Sequence, residues 1–126
     1  MKSLSSRRPL KFRGQDRIGH IVITVELGKD DPARLSLMDP ETICQYTGLK
    51  DRQGKEVYEG DVVVARFGPS SHVGVVQYDA DYGQHVAWDE YECGARLYDI
   101  GCIVKVLGDV FEDPELKKKY WEVYSK

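Results

Sequence analysis

No stretch of this sequence stays apolar for the 18–20 residues or so that a membrane-spanning helix needs. The basic N-terminal residues have no apolar segment behind them either, so we expect no secretory signal and a cytoplasmic location. Cysteine is scarce and odd in number: Cys44, Cys93 and Cys102 show no CxxC spacing. In a reducing compartment each is expected as a small buried hydrophobe, not as half of a disulfide. His20, His72 and His85 are scattered, so a zinc site would need convergence that nothing local provides. There is no GxSxG elbow, HExxH, Walker A loop or GxGxxG fingerprint, which removes the familiar signatures of hydrolases, zinc peptidases and nucleotide enzymes.

What is present is an ordinary globular composition. The 126 residues are 41% hydrophobic and 31% charged, enough apolar content to argue against disorder and enough chain for one core. The charge is unevenly placed. Residues 1–17 carry six basic side chains and one acid, a local +5, so the remainder carries −8 of the formal −3. A basic arm on an acidic body is either a phosphate-contacting device or a solvated tail.

The hydrophobic pattern is that of short strands at hairpin spacing. Residues 10–13 and 20–27 read as extended, the second rich in β-branched side chains. Asp31-Pro32 and Asp39-Pro40 read as turns, with residues 34–38 between them a strand or an irregular connection. Residues 42–46 look extended, and 48–54 form a polar turn in which Asp51 is placed to bond nearby backbone and Gly54 to take positive φ. The run 62–67 is apolar on both faces, as a central or barrel strand would be. Gly74, inside the next strand (72–78), marks a bulge, a bend or a close backbone approach. Further strands are expected at 84–88, 95–98 and 103–107. Asp113 as N-cap, Pro114 at the first helical position and Glu115 in the first turn predict a short amphipathic helix from Pro114 to about Tyr124. The fold class expected is mainly β, a compact SH3-like or barrel-like domain with a short C-terminal helix. Residues 1–9 are expected to be a flexible basic arm and 10–126 a single domain.

The strongest local feature is the segment 45–61, QYTGLKDRQGKEVYEGD. Tyr46 and Tyr58 flank its turn and are expected to pack as aromatic anchors of a hairpin, while Asp61 accepts backbone N–H groups at the entry to a strand. The whole segment resembles the hallmark of the YopX family, small proteins of phages and prophages of Gram-positive bacteria. LKFR at 10–13 is similar to the family's basic-aromatic opening, and VLGDVFEDPEL at 106–116 to its closing stretch. Asp109 departs from the asparagine expected there. The resemblance, over about residues 10–116, implies a phage origin, an SH3-like core and a homo-oligomer. It implies no catalytic residue and no cofactor, because the family has no established activity.

Three candidate chemistries follow from the residues. Cys44 adjoins the hallmark, but as a thiol it lacks any sign of a lowered pKa and is expected to be structural. Asp79, Asp81 and Glu90 match positions 1, 3 and 12 of a calcium loop, but Gly83 falls at position 5 where position 6 is required, and the flanks read as strands; a solvated hairpin tip is expected instead. Arg7, Arg8, Lys11, Arg13 and Arg17, interleaved with Phe12, are the candidate nucleic-acid contacts. Tyr82, Trp88, Tyr91 and Trp121 are the candidate interface, with Tyr98 and Tyr124 as further aromatics beyond the obvious needs of a core. For Tyr120 and Trp121 the competing expectation is that they cap the core. The leading expectation is a non-enzymatic protein-interaction module, with self-association and no membrane; the alternative is a nucleic-acid-binding accessory protein.

Overall fold

The structure is a computed structural model and describes residues 10–19, 21–81, 83–97 and 103–125. The basic arm 1–9, His20, Tyr82, Tyr98 and Cys102 lie outside the described residues.

Two hairpins build a four-stranded antiparallel sheet. β1 (Lys11–Gln15) pairs with β2 (Val22–Glu26), and β3 (Cys44–Lys50) pairs with β4 (Glu56–Tyr58), giving the order β2-β1-β3-β4. The second hairpin is tighter than the sequence suggests. β3 runs through Gly48 to Lys50, with a register shift between Tyr46 and Lys50, and the turn shrinks to residues 51–55. Asp51 holds it: Oδ1 accepts the N–H groups of Gln53 and Lys55, each at 2.9 Å. Gly54 has φ +85°, as expected of a glycine closing such a turn.

Between the hairpins, where residues 34–38 were expected as a strand or an irregular connection, the chain forms a 3-10 helix, Pro32–Leu37, followed by a second, Pro40–Thr42. The cause is local. Asp31 accepts the Ala33 N–H and Asp39 the Glu41 N–H, and each is followed by proline, so both Asp-Pro pairs start a helical turn instead of a reversal. Met38, fully buried, sits against Gly14 of β1, where any Cβ would lie 2.8 Å from the Met38 sulfur.

The second sheet has five antiparallel strands, β5 (Asp61–Phe67), β6 (Ser70–Asp79), β7 (Gln84–Trp88), β8 (Gly94–Arg96) and β9 (Ile103–Asp109), in the order β8-β7-β6-β5-β9. The pairings among the described residues form these two sheets and no closed barrel. Gly74 is a close backbone approach: a Cβ there would meet the Trp88 carbonyl carbon of the neighbouring strand at 2.8 Å.

The five-stranded sheet is covered on both faces, which explains the uninterrupted apolar run of β5. On one face Val63, Ala65, Val76, Ala87, Ile103 and Val106 pack with Val57 of β4. On the other, Val62 and Val75 meet Tyr120 and Val123 of α1 (Pro114–Tyr124). Complete burial of each valine contributes roughly 1.5–3 kcal/mol. The helix begins where capping predicts, with Asp113 Oδ1 accepting from Glu115 N at 3.0 Å and Leu116 N at 3.3 Å. No helix among the described residues is long and apolar enough to cross a membrane.

Candidate functional site

Two places draw together the residues singled out by the sequence: a polar seam where the two sheets meet, and a groove at the far end of β6 and β7.

The seam is centred on Arg13. Its Nη2 lies 2.5 Å from Asp61 Oδ1 and 3.9 Å from Asp109 Oδ2, and its guanidinium carbon stands 4.4 Å from the centre of the Tyr58 ring. The other oxygen of Asp61 accepts the Tyr58 N–H at 2.8 Å, so one carboxylate ties β1 to the β4–β5 turn. Burial works against the Arg13 charge, but Asp61 and Asp109 more than offset it and raise its pKa further. Burial likewise pushes the Asp61 carboxyl up, against the pull of Arg13 and the Tyr58 N–H. Beside this pair, Lys11 Nζ is 2.8 Å from Glu56 Oε2, and that hydrogen bond raises the Lys11 pKa. Asp109 Oδ1 accepts the Phe111 and Glu112 N–H groups, both at 2.8 Å. Tyr46 and Tyr58 pack as expected, ring centres 5.5 Å apart. Asp51 extends the seam: besides its own turn it accepts the Val106 N–H of β9 at 3.1 Å.

Every motif stretch therefore ends in the same place. Residues 10–13 supply Lys11 and Arg13, residues 45–61 supply Tyr46, Asp51, Tyr58 and Asp61, and residues 106–116 supply Val106, Asp109 and Phe111. The seam opens to solvent as a cleft of about 460 Å³ lined by Arg13, Lys55, Asp61 and Asp109 among others. Within it Arg13 is already paired with Asp61 and Asp109.

Cys44 lies at the edge of the seam. Its thiol is buried and has the Tyr124 hydroxyl at 3.5 Å; burial pushes its pKa up to about 11, the opposite of what a nucleophile requires. Cys93 corrects the expectation that the cysteines are buried. It is exposed, in the loop between β7 and β8 that Asp89 organises by accepting the N–H groups of Tyr91 and Cys93 at 2.8 Å. His85 is buried with Nε2 3.2 Å from Glu59, and His72 Nε2 is 2.9 Å from the Ala87 carbonyl. No group of three or more potential metal ligands occurs among the described residues.

Of the candidate nucleic-acid contacts, Arg7 and Arg8 lie outside the described residues. Lys11 and Arg13 are held in the internal pairs described above. Arg17 is at the surface, its Nε donating to the Ser36 carbonyl at 3.2 Å.

Of the candidate interface aromatics, Tyr82 lies outside the described residues. Trp88 lines a groove of about 480 Å³ together with Gln77, Tyr78, Asp79, Asp81 and Val123, with Glu92 on its rim. Tyr91 belongs to the adjoining 89–93 loop and is 79% exposed. Trp121 is elsewhere: it stands edge-on to Phe111 at 5.8 Å and is half-buried, and Tyr124 packs on the same ring at 5.7 Å. Tyr120 is buried under the sheet. Sequence reasoning missed Tyr78, which is half exposed and lies T-shaped to His85 at 5.3 Å. Its position one residue before the Asp79 hairpin tip was the available clue, since a strand end leaves its last aromatic uncovered.

Comparison with known families gives a match over most of the chain. The family model described as YopX protein matches residues 7–118, a span that contains all three seam segments. No curated protein matches the chain.

Proposed function

This chain belongs to the YopX family, and from that premise we propose that it is a phage- or prophage-encoded, non-enzymatic protein-interaction module of the host cytoplasm. Its binding face is the groove bounded by β6, β7 and α1. The observation that carries this reading is the contrast of exposure. Trp88 lines an open groove, with the exposed Tyr91 on the adjoining loop, whereas the Arg13 charge in the seam is taken up by Asp61 and Asp109. Aromatic side chains that combine apolar area with few rotatable bonds are the ones that dominate interface energetics. The occupant is a second protein or a second copy of the chain.

A photo-crosslinking residue replacing Asp81, exposed on the groove, in cells where the phage or prophage is induced, is expected to capture a discrete partner. The same residue replacing Leu37, exposed on the first 3-10 helix, is expected not to. Equal capture from both positions, or none from Asp81, sinks the reading. Sedimentation at rising concentration then separates self-association from binding to another protein.

The alternative, a nucleic-acid-binding accessory protein, rests on the basic arm and Arg17, since Lys11 and Arg13 already face carboxylates. Binding at low salt that disappears when residues 1–9 are removed and Arg17 is replaced by Gln would establish it.

A further inference from the structure

β2 ends the four-stranded sheet, so one side of its backbone has no neighbouring strand. The phase of the ladder fixes which groups face outward. Asp16 N–H donates to the Ile21 carbonyl at 2.9 Å and Leu27 N–H to the Leu10 carbonyl at 2.8 Å, with an unbroken register between them. Ile21, Ile23, Val25 and Leu27 therefore bond toward β1, and Val22, Thr24 and Glu26 turn their N–H and C=O groups away from it. At Glu26 the outward side is closed. Asp30 Oδ2 accepts its N–H at 2.8 Å, and its carbonyl accepts the N–H groups of Lys29 and Asp30 at 3.2 and 2.8 Å. No hydrogen bond among the described residues reaches the outward groups of Val22 or Thr24.

The edges of β4 and β9 are treated differently. The Tyr58 N–H of β4 goes to Asp61 at 2.8 Å; on β9 the Val106 N–H goes to Asp51 and the Ile103 carbonyl accepts the Arg52 N–H, both at 3.1 Å. β2 carries none of the devices that blunt an edge. Residues 21–25 are an uncharged β-branched run with no proline, lysine or bulge. Apolar side chains stand uncovered beside it: Val22 is 46% exposed, Ile21 63%, and Ile18 in the preceding turn 76%.

An open edge takes an added strand, in which main-chain hydrogen bonds give affinity and side-chain matching selects the partner. Here the open window spans Val22 and Thr24 and stops at the bonded Glu26. The strand that matches this window on both counts is β2 itself, turned about a two-fold axis through Ile23. We infer that β2 pairs antiparallel with β2 of a second copy of this chain, joining two four-stranded sheets into one. Val22 of each copy exchanges hydrogen bonds with Thr24 of the other, Ile23 faces Ile23, and Ile21 faces Val25. Every facing pair is β-branched and uncharged, so side chains pack across the seam with no like charges opposed. The contact is isologous and closes at two copies. It is small beside the interfaces of permanent dimers, so association is reversible and depends on concentration. The surface lies on the β1–β2 hairpin, apart from the groove at β6, β7 and α1, and neither reading depends on the other.

Sedimentation equilibrium of the full chain is expected to show monomer and dimer exchanging with concentration. Thr24 is exposed, so Thr24→Lys sets a lysine on the open edge without entering the core. It is expected to raise the dimer dissociation constant about tenfold or more. Ser71→Lys adds the same charge at an exposed position of β6 and should change the constant less than about twofold. The register is read separately, in a Cys93→Ser/Cys102→Ser background. There Ile23→Cys brings two thiols to facing positions whose Cα atoms stand about 4.5 Å apart, within disulfide reach. Mild oxidation is expected to give a covalent dimer much faster than with Lys118→Cys, exposed on α1. A single monomeric species at every concentration up to about 1 mM overturns the inference. A dimer that Thr24→Lys weakens no more than Ser71→Lys does also overturns it, because the contact then lies elsewhere. So does an Ile23→Cys chain that crosslinks no faster than Lys118→Cys, because the strands are then not paired about Ile23.

Discussion

The seam and the groove differ in almost every physical respect. The seam is charged and paired within itself, and it is assembled from three segments distant in sequence. Asp61 alone bonds the Arg13 side chain and the Tyr58 N–H. The groove is aromatic and acidic, open at one side, and made mostly from one stretch, residues 77–92, with Val123 added by the helix. The residues that mark the family lie in the seam, and the groove falls between the motif segments. The hallmark residues thus have an adequate reason to exist in folding alone, and the groove is built from residues outside the motifs.

Substitutions in the seam should therefore cost stability and those in the groove should not. The largest effect is expected at Asp61. Asp61→Ala leaves the Arg13 guanidinium buried without its closest carboxylate and the Tyr58 N–H without its acceptor, a loss of about 3–5 kcal/mol in urea unfolding. Replacing both partners, as Arg13→Met/Asp61→Leu, is expected to cost clearly less than Asp61→Ala alone. A double variant as unstable as the single one would break the claim that an uncompensated charge is the cause.

Asp51→Ala comes next, at about 2–3 kcal/mol, because the buried Val106 N–H loses its partner along with two N–H groups of the turn. Burial raises the Asp51 pKa, but the N–H groups of Lys55, Val106 and Gln53 outweigh it and hold the carboxyl below its ordinary value. A depressed folded pKa places the stabilisation above the unfolded value of about 3.9, and it is lost as pH falls through the folded one. Unfolding free energy measured between pH 6 and pH 2 should accordingly fall less steeply in Asp51→Asn than in the parent; parallel curves would remove Asp51 from the account.

The cysteines carry the same contrast into reactivity. With its pKa pushed up to about 11 and its side chain buried, Cys44 should resist alkylation in the native state, while the exposed Cys93 reacts readily. Peptide mass mapping after a brief iodoacetamide pulse near pH 8 reads this directly, and labelling of Cys44 at the rate of Cys93 would show that the seam opens. The smallest effect is expected in the groove. Asp81→Asn on the groove and Tyr91→Ser beside it should each change stability by less than about 0.5 kcal/mol, since both side chains are exposed. A larger loss would mean that the groove is part of the core.

Much of this was legible locally. The Asp113-Pro114-Glu115 start of α1, the positive φ of Gly54, the Tyr46–Tyr58 contact and the close approach at Gly74 all follow from residue chemistry acting within a few positions or across one strand pair. The segment 34–38, left open between strand and irregular connection and found as a 3-10 turn, was decided locally too: an Asp-Pro pair caps a helical turn as readily as it makes a reversal, and composition does not separate the two. The extension of β3 through Gly48 depended on its pairing with β4, which a polar, glycine-bearing string conceals.

What the chain alone determined was the type of most elements, the existence of a polar turn centred on Asp51 and the presence of a charge-rich hallmark. Propensity, capping and alternation act at short range, so their consequences are written beside their causes. Only the tertiary structure decided that Arg13, separated by 48 positions from Asp61, would give its charge to that carboxylate instead of to solvent or a phosphate. It also decided that Asp51 would reach across 55 positions to Val106, and that Trp88 and not Trp121 would line the groove. A side chain's partner depends on which strands come to lie next to each other, and that follows from burying both faces of one sheet at once.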